Sequence, residues 1–386
     1  MALKTGRGAA APPFLVMDVI AAANAKQRGL PAGSPGVIRM EVGQPGTGAP
    51  AAAASAAAAA LARGEALGYT EALGLPGLRA RIARHYGEWY GLDLAPSRVA
   101  VTLGASGAFP LAFLAAFDPA DRIALSAPFY PPYRNILTAL GLSPVILETT
   151  AQTRFQPTIE LLQQLAPPPE GLIIASPSNP AGTMLTPAGL EAIARFCHTS
   201  GIRLISDEIY HGIQYATPLA TAAAFSPSAI VINSFSKYFS MTGWRVGWMV
   251  LPEDLLRPVE CLAQNFFISA PHIAQVAAEA AFECAPELEA NVARYRRSRD
   301  LLLAKLPGAG FPRLSPAEGA FYLFADISSR TNDSVSFAAR MLAEVGIATT
   351  PGVDFDDRRG HHFLRFSYCG PERDMAEAAQ RLAHWR

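Results

Sequence analysis

The chain has 386 residues, of which 50% are hydrophobic and 17% are charged, against about 25% charged residues in typical soluble domains. This composition excludes a disordered chain, and the length allows two domains with a large buried core. The 32 basic and 32 acidic residues balance, which argues against a large surface for nucleic acid or for an anionic membrane.

From the N-terminal segment we expect no secretion signal, because it has no adequate apolar region. In MALKTGRGAAAPPFLVMDVI, the residues Pro12, Pro13 and Asp18 interrupt any apolar core. The run AAAASAAAAALA (51–62) is too short to span a bilayer, and it predicts a helix near a surface. Four cysteines are scattered without metal-ligand or redox spacing, which favours a reducing compartment. We therefore expect a soluble, cytoplasmic protein.

Seven short apolar runs between residues 98 and 250 predict strands, and helical patterns separate several of them. One such pattern, at 188–201, predicts a helix that ends near Gly201. Continuous apolar strands separated by helices predict a mostly parallel sheet that is covered on both faces. The seven runs are VAVTLG (99–104), RIALSAP (122–128), PVILET (144–149), GLIIASP (171–177), RLISDE (203–208), AIVINSFS (229–236) and VGWMVLP (246–252).

A smaller α+β domain is predicted for the C-terminal part of the chain. A long charged helix at 285–306 connects to it, and the strand-like segments GAFYLFADIS (319–328) and HHFLRFSYC (361–369) are each followed by a helical pattern. We divide the chain into an N-terminal arm with part of the small domain (1–45), a large domain (46–284) and a C-terminal small domain (285–386).

Polar residues follow five of the predicted strands. Ligands bind at the carboxyl ends of the strands in open α/β sheets, so these residues are candidates for a site. Each alone is typical of an ordinary loop, but together they supply an anion-binding helix start, an aromatic ring, an amide, a carboxylate and an amine. They are the turn GASGAF (104–109), Tyr130, Asn179, Asp207 with Tyr210, and Ser234 and Ser236 with Lys237.

Lys237 is the most informative of these residues, because only four of the 32 lysine and arginine residues are lysines. A lysine can lose its proton and attack a carbonyl to form an imine, which an arginine cannot do. The carbonyl could belong to a substrate or to pyridoxal phosphate. A phosphate-binding turn and the carboxylate of Asp207, which suits a pyridinium nitrogen, favour the cofactor. Ser234 and Arg245 flank Lys237 and would donate to the phosphate.

The stretch SFSKYFSMTGWRVGW (234–248) resembles the lysine signature of class I/II aminotransferases, the aspartate-aminotransferase-like group of pyridoxal-phosphate enzymes of fold type I. The segments SPSNPAGT, SDEIYHGI, GAFYLF and FLRFSYC resemble further blocks of this family, in the family's order. The resemblance covers about residues 35–370. It implies an α/β fold with a mostly parallel seven-stranded sheet between helices and a smaller α+β domain, assembled as a homodimer with shared active sites.

The resemblance also implies roles for the residues around the pyridoxal 5′-phosphate ring. Lys237 would form the Schiff base with the cofactor and move the substrate proton once it is released. Asp207 would pair with the pyridine nitrogen, and Tyr210 and Asn179 would bind the phenolic oxygen. Tyr130 would stack on the ring.

The phosphate and the substrate have their own implied residues. Ser234, Arg245 and the backbone around Ala105 and Ser106 would hold the phosphate. Tyr69, in GYTEALGLPGLR, would reach the phosphate of the neighbouring subunit.

For the substrate, Arg365 would bind the α-carboxylate, in a pocket that Gly43 and Asn179 also line.

Three segments depart from the common pattern of the family. GAS stands where a second glycine and often a lysine are usual, and Ala181 replaces a frequent threonine. PGVDFDDRRGHHF (351–363) carries acidic residues where the family usually has FG, at the expected mouth of the substrate site. None of these changes touches the imine chemistry.

The leading interpretation is an aminotransferase that exchanges an amino group between an L-amino acid and a 2-oxo acid. A carbon–sulfur β-lyase of the same fold would use the same lysine, and the sequence does not separate the two. A non-catalytic regulator that binds pyridoxal phosphate is a third alternative, but we find no basic segment for the DNA-binding module of such proteins. A second arginine for a substrate side-chain carboxylate is not identified, and Arg39 and Arg134 are candidates only by exclusion.

Other conspicuous residues are interpreted as structural. His211 follows Tyr210 without an acid or nucleophile at a telling spacing. His361 and His362 lack further ligands at metal-binding spacing. The basic run RYRRSRD (294–300) is interpreted as a solvated helix face, and no nucleic-acid or metal site is expected.

Overall fold

The computed structural model of the protein describes residues 3–385, so the ends of the predicted arm (residues 1 and 2) and of the predicted small domain (residue 386) lie outside the described residues. The α-helices are α1 (Leu15–Gly29), α2 (Ala51–Ala62), α3 (Pro76–Tyr90), α4 (Gly104–Ala116), α5 (Pro132–Leu140), α6 (Ile159–Gln163), α7 (Pro187–Thr199), α8 (Leu256–Phe266), α9 (His272–Ala281), α10 (Ala285–Lys305), α11 (Ser334–Val345) and α12 (Glu372–Ala383). The strands are β1 (Ile38–Arg39), β2 (Val99–Thr102), β3 (Arg122–Ala127), β4 (Ser143–Glu148), β5 (Gly171–Ala175), β6 (Arg203–Asp207), β7 (Ile230–Ser234), β8 (Gly247–Val250), β9 (Arg313–Leu314), β10 (Tyr322–Asp326), β11 (Ile347–Ala348), β12 (Thr350–Pro351) and β13 (Phe363–Ser367).

The large sheet has seven strands in the order β2-β8-β7-β6-β5-β3-β4. All seven predicted strands are present within it, and the prediction of a mostly parallel seven-stranded sheet is confirmed. Strand β8 runs antiparallel to both of its neighbours, β2 and β7. The segment between β7 and β8 contains no α-helix, and parallel neighbours normally need a helical crossover at such a connection.

Both faces of the large sheet are buried, which explains why its strands are apolar throughout. In β5, Leu172 and Ile174 belong to the hydrophobic core on one face, whereas Ile173 between them belongs to the core on the other. Successive side chains of a strand point to opposite faces, so each strand needs apolar residues at both parities. Helices cover both faces, as the sequence predicts.

Helix α7 illustrates how local sequence sets the ends of the covering helices. The Thr186 hydroxyl accepts a 3.1 Å hydrogen bond from the backbone N–H of Gly189, and Pro187 occupies the first helical position. After the last turn, Gly201 adopts a φ of +70°, a conformation that glycine reaches without steric cost. The predicted helix over 188–201 is therefore confirmed, with bounds shifted by one or two residues.

The smaller unit contains a four-stranded antiparallel sheet in the order β12-β13-β10-β9. The N-terminal arm joins it, because β1 pairs in parallel with β11. The Lys26 amine of α1 also donates a 2.9 Å hydrogen bond to the carbonyl of Ala343 in α11. The predicted strands near 319–328 and 361–369 and their following helices are present, while the domain boundaries stay a prediction.

The alanine-rich segment forms α2, and it packs against α9. Its buried residues Ala53, Ala57 and Ala60 share one helix face. Within residues 3–385, no helix combines the length and the apolarity needed to cross a membrane.

Candidate active site

A cavity of about 630 Å³ lies at the edge of the large sheet where the parallel strands β3, β5, β6 and β7 end. Because the carboxyl ends of parallel strands share one edge, residues far apart in sequence meet there. Ten of the twelve predicted site residues line this cavity: Gly43, Ala105, Ser106, Tyr130, Asn179, Asp207, Tyr210, Lys237, Arg245 and Arg365.

Lys237 follows the end of β7 by three residues; the residue is half-buried, and its amine lies among protein groups at the cavity. The amine donates a 2.6 Å hydrogen bond to the backbone carbonyl of Gly43. Burial lowers the pKa of Lys237 to about 8, and the positive charges of Arg365 and Arg245 act in the same direction. At pH 7 about a tenth of the amine is therefore uncharged, far more than for an exposed lysine, and the uncharged form is the nucleophile.

Asp207 is the last residue of β6, and its carboxylate is buried in the floor of the cavity. One carboxylate oxygen accepts a hydrogen bond from the Tyr133 hydroxyl, and the other accepts one from the backbone N–H of Ile209 at 3.1 Å. Burial raises the pKa of Asp207 to about 6, although these donors and the Lys237 amine oppose the shift. A cationic group bound next to Asp207 would hold it fully ionised.

One end of the cavity is built to receive an anion. Helix α4 begins at Gly104, separated from the end of β2 by its N-cap residue Leu103, and the backbone N–H groups of its first turn are free at the helix start. Gly104 has a φ of +65°, and a Cβ atom at this position would lie 2.7 Å from Nη2 of Arg245. The glycine therefore lets the guanidinium approach the helix start. Arg245 is oriented by a 2.8 Å hydrogen bond from Nη1 to the Thr242 carbonyl.

Arg365 is a second cationic side chain that lines the cavity. It lies in β13 and is buried, with its guanidinium carbon 4.5 Å from the centre of the Tyr322 ring. Nη1 donates to the side-chain oxygen of Asn179 at 2.9 Å, and Nη2 donates to the Thr350 hydroxyl at 3.0 Å and to the Glu41 carbonyl. These contacts hold the planar fork in one orientation, as recognition of a carboxylate requires.

Two tyrosines that line the cavity contact each other. The hydroxyls of Tyr210 and Tyr322 lie 2.8 Å apart, so one donates to the other. Burial raises the pKa of both phenols, and both stay protonated near neutral pH. Tyr130 packs edge to face against Phe14 on one side and against Tyr133 on the other.

Ser234 and Tyr69 do not line the cavity. Ser234 lies behind it, and its hydroxyl donates to the Ser236 hydroxyl at 2.9 Å; Ser236 is the serine that faces the cavity. Tyr69 lies on the surface with 82% of the residue exposed. Within one chain, therefore, Tyr69 is not brought together with the other predicted residues.

Several residues of the site were missed by the sequence analysis. Tyr133 stands three positions after Tyr130 in APFYPPY, and Tyr322 lies in the recognised segment GAFYLF, so both had a signal nearby. No signal in the sequence indicated the apolar wall of the cavity. It comes from the start of α1 and consists of Phe14, Val16, Met17 and Ile20.

His211 is buried and does not line the cavity. The expectation that no acid accompanies it is wrong, because Oε2 of Glu208 lies 3.5 Å from Nδ1. Nε2 lies 3.0 Å from the Ser176 carbonyl, which can only accept, so Nε2 carries the hydrogen and Nδ1 accepts from the Tyr90 hydroxyl at 2.7 Å. Burial lowers the pKa of His211 to about 4, which keeps the ring neutral at neutral pH.

The other residues that the sequence made conspicuous also lie outside the cavity. Arg39 pairs with Glu41 and Arg134 pairs with Asp357, and neither lines it. Across the described part of the chain, no group of three or more histidine, cysteine, aspartate or glutamate side chains could hold a metal ion.

The basic run at 294–300 is only partly solvated, which modifies the prediction. Arg297 is exposed and pairs with Glu372. Arg299 instead stacks on the Tyr215 ring, with its guanidinium carbon 4.4 Å from the ring centre. Part of the run therefore contributes to packing.

Comparison with known proteins agrees with this geometry. The profile of the family described as aminotransferase class I and II matches residues 35–382. The chain is 47% identical to the valine–pyruvate aminotransferase of Mycobacterium tuberculosis over 98% of this chain and 97% of that protein. A crystal structure of an aminotransferase from M. tuberculosis superposes with a TM-score of 0.96 at 47% identity, covering 100% of this chain and 99% of that one.

A more distant structure leads to the same family. Aspartate aminotransferase from Thermus thermophilus, solved with maleate, superposes with a TM-score of 0.91 at 30% identity and 99% coverage of both chains. The sequence left a β-lyase and a non-catalytic regulator open as alternatives. The relatives named here are all aminotransferases. The chain belongs to the class I and II aminotransferase family.

Proposed function

We propose that this aminotransferase carries pyridoxal 5′-phosphate on Lys237 and exchanges an amino group between an L-amino acid with an apolar side chain and a 2-oxo acid. The observation that carries the proposal is the position of Lys237. Its amine is buried at the sheet edge, its pKa is lowered to about 8, and it shares one cavity with the buried carboxylate of Asp207.

The residues of the cavity fit this cofactor. Arg245 and the first turn of α4, close together because position 104 lacks a side chain, suit a phosphate. The carboxylate of Asp207 suits a pyridinium nitrogen, and the Tyr210 hydroxyl and the Asn179 amide suit the phenolic oxygen. When bound, pyridoxal phosphate supplies a carbonyl for the lysine and a ring that accepts the electrons left on the substrate Cα.

The side chains and backbone groups around the bound cofactor each have a separate role in the reaction. The Gly43 carbonyl, 2.6 Å from the Lys237 amine, directs that amine into the cavity. Once free, the amine accepts and returns the Cα proton, a role for which a pKa near neutrality is favourable. Asp207 holds a positive charge at the ring nitrogen, and Ser236 joins Arg245 at the phosphate end.

The substrate side of the cavity indicates an apolar amino acid. Arg365 suits the α-carboxylate that all amino acids share. Besides Lys237, Arg245 and Arg365, none of the described residues that line the cavity is basic, so an acidic side chain would find no dedicated partner. The relative named valine–pyruvate aminotransferase supports a branched aliphatic donor and pyruvate as acceptor.

A borohydride experiment tests the cofactor proposal. The loaded enzyme is reduced with borohydride, digested and mapped by mass spectrometry, and we expect the pyridoxyl group on Lys237. Lys305, an exposed lysine at the end of α10, is the internal control. Labelling of Lys4, Lys26 or Lys305 in place of Lys237 contradicts the assignment.

A donor panel tests the reaction. Amino acids with aliphatic, aromatic and acidic side chains are incubated with pyruvate or 2-oxoglutarate, and both the new amino acid and free ammonia are measured. We expect amino transfer with aliphatic donors and no stoichiometric ammonia. Ammonia and pyruvate released from a cysteine-type donor without an acceptor would instead identify the β-lyase reaction.

The assembly and the location belong to the same proposal. We infer a homodimer in which Tyr69 reaches the neighbouring subunit, because large apolar residues stay exposed in the single chain: Tyr69 (82%), Leu61 (62%) and Phe266 (55%). A cytoplasmic location is supported by the four free cysteines. We keep the domain boundaries at residues 45 and 284, on either side of the large sheet.

A further inference from the structure

We propose that Asp354 is a positioning residue that holds the first turn of α1 over the cavity, so that the apolar side chains of this turn contact the substrate side chain. The inference rests on the proposed function and deepens it. It identifies Asp354 as the group that sets the distance between the α-carboxylate site at Arg365 and the apolar side chains of α1 that select among amino acids.

The contact is made by both oxygens of the Asp354 carboxylate. Oδ1 accepts a 3.0 Å hydrogen bond from the backbone N–H of Leu15, and Oδ2 accepts one at 3.2 Å from that of Val16. These N–H groups belong to the first turn of α1 and have no partner within the helix. A negative charge at this end of a helix is also electrostatically favourable. Asp354 is 4% exposed, so water has little access to replace it.

The position of Asp354 is tied to that of Arg365. Asp354 ends the short 3-10 turn Gly352–Asp354, which directly follows β12. Strand β12 pairs with β13 so that Thr350 lies opposite Arg365, and the Thr350 hydroxyl accepts the 3.0 Å hydrogen bond from Arg365 Nη2. The backbone that orients the carboxylate-binding guanidinium therefore also carries the carboxylate that holds α1.

The residues held in this way face the cavity. Phe14, Val16, Met17 and Ile20 line it, and the Phe14 ring packs edge to face on Tyr130 at a centroid distance of 5.7 Å. The other end of α1 is fixed separately. Lys26 donates to the Ala343 carbonyl, and the Asn24 side chain accepts a 2.7 Å hydrogen bond from Arg39. Loss of the Asp354 carboxylate is therefore expected to loosen the first turn and leave the rest of α1 in place.

A loosened wall changes selectivity more than overall activity. An amino acid with a small side chain, such as alanine, makes few contacts with the wall. Valine and leucine make more, and one methylene in a well-formed apolar pocket changes kcat/KM by about tenfold or more. The valine-to-alanine ratio of kcat/KM thus reports the position of α1, whereas a general loss of folded enzyme lowers both values by the same factor.

The test compares Asp354→Asn with the wild-type holoenzyme, using alanine, 2-aminobutyrate, valine and leucine as donors and pyruvate or 2-oxoglutarate as acceptor. Asparagine has the same shape, but it replaces one accepting oxygen with an NH2 group that opposes a backbone N–H. We expect kcat/KM for alanine to stay within about threefold of wild type, and kcat/KM for valine and leucine to fall about tenfold or more.

Asp357→Asn is the matched control, because Asp357 lies in the same loop and pairs with Arg134 at 2.9 Å, not with α1. Its donor ratios should equal those of wild type. Phe14→Ala is a second variant that keeps the carboxylate and removes the wall, so it stays informative if Asp354→Asn fails to fold. It too should lower the valine-to-alanine ratio.

Unchanged donor ratios in Asp354→Asn, whether activity is normal or uniformly reduced, overturn the inference. If Asp354→Asn does not fold, an unchanged ratio in Phe14→Ala overturns it in the same way. A wild-type enzyme that transfers an amino group from none of these donors overturns the proposed function, and this inference with it. An enzyme that transfers the amino group from all four aliphatic donors but shows no preference among them overturns this inference alone.

Discussion

The Lys237 amine donates a 2.6 Å hydrogen bond to the backbone carbonyl of Gly43. The two residues belong to different parts of the fold, since Lys237 follows β7 of the large sheet and Gly43 follows β1 in the N-terminal segment. A Cβ atom added at position 43 would overlap the hydroxyl of Tyr322. The close approach of these three segments therefore requires that residue 43 has no side chain.

Replacing Gly43 with alanine should displace either its carbonyl or the Tyr322 hydroxyl. Because a misplacement of about 1 Å near reacting groups costs about 100-fold in rate, we expect kcat/KM of Gly43→Ala to fall about 10- to 100-fold. Steady-state kinetics with valine and a 2-oxo acid measure the effect.

Gly48→Ala is the control for this substitution, because a Cβ atom at position 48 meets no atom within 4 Å. Its activity should match that of wild type. Wild-type kinetics for Gly43→Ala would show that the segment has room to adjust and that the contact with Tyr322 is not needed.

The buried amine of Lys237 should destabilise the protein when no cofactor is bound. Its pKa in the folded protein is lowered from 10.5 to about 8. Below pH 8 the amine is charged in both states, and folding carries the full free-energy cost of burying that charge. The cost shrinks as the pH rises from 8 and vanishes above the unfolded-state value of 10.5.

Lys237→Met should therefore raise the free energy of unfolding of the cofactor-free protein by about 1–3 kcal/mol at pH 7. The gain should disappear near pH 10.5. Urea unfolding at pH 7, 8.5 and 10 measures it, with Lys305→Met as the control for loss of an exposed lysine. A gain that does not depend on pH would point to better packing by methionine, not to removal of a buried charge.

The sequence was sufficient to predict the site residues that directly follow strands. Each strand of a parallel sheet presents its carboxyl end at the same edge, so Asn179, Asp207 and Lys237 could be grouped without knowing the strand order. The direction of β8 could not be read in this way, because the apolar pattern of a doubly covered strand is the same in either direction.

The wall from α1 could not be predicted for a different physical reason. The contact that brings Val16 to the cavity joins it to Asp354, 338 residues later. No local pattern in residues 14–20 shows which helix face meets a ligand. Similarly, the sequence marked acidic residues near 354–357 as unusual, but only the fold reveals that Asp354 caps a helix while Asp357 pairs with Arg134.

Arg365→Lys should weaken the binding of every amino-acid substrate. Lysine cannot form two parallel hydrogen bonds with a carboxylate, and a charge-assisted hydrogen bond contributes about 1.5–3 kcal/mol. Loss of one such bond predicts a fall in kcat/KM of about 10- to 100-fold for all donors, whatever their side chains.

A donor series with aliphatic, aromatic and acidic members measures this effect, and Arg134→Lys is the control because Arg134 does not line the cavity. A loss confined to acidic donors in Arg365→Lys would make Arg365 a reader of the side chain. A loss confined to acidic donors in Arg134→Lys would instead indicate that Arg134 binds the side-chain carboxylate of the substrate.

Tyr69 should act on the active site of the neighbouring subunit. It is 82% exposed in the single chain. The segment around it is nevertheless fixed, since Gly68 accepts a 3.0 Å hydrogen bond from His272 and the Thr70 N–H donates to Ser269 at 3.3 Å. A fixed, exposed tyrosine is suited to contact a partner. One hydrogen bond to a phosphate is worth about 1.5–3 kcal/mol, so Tyr69→Phe should weaken cofactor binding about 10- to 100-fold and leave folding intact.

Complementation decides whether the contact crosses the dimer. Tyr69→Phe is first shown to lose activity at limiting pyridoxal phosphate, and it is then mixed under subunit exchange with the inactive variant Lys237→Ala. If Tyr69 serves the partner's site, each hybrid dimer has one site with both residues intact, and activity at limiting cofactor rises with the fraction of hybrids. If Tyr69 serves its own subunit, no hybrid site contains both groups, and the mixture shows no more activity than the Tyr69→Phe subunits alone supply. Exchange is verified by native mass spectrometry, so that an absence of recovery counts against the shared site and not against the mixing.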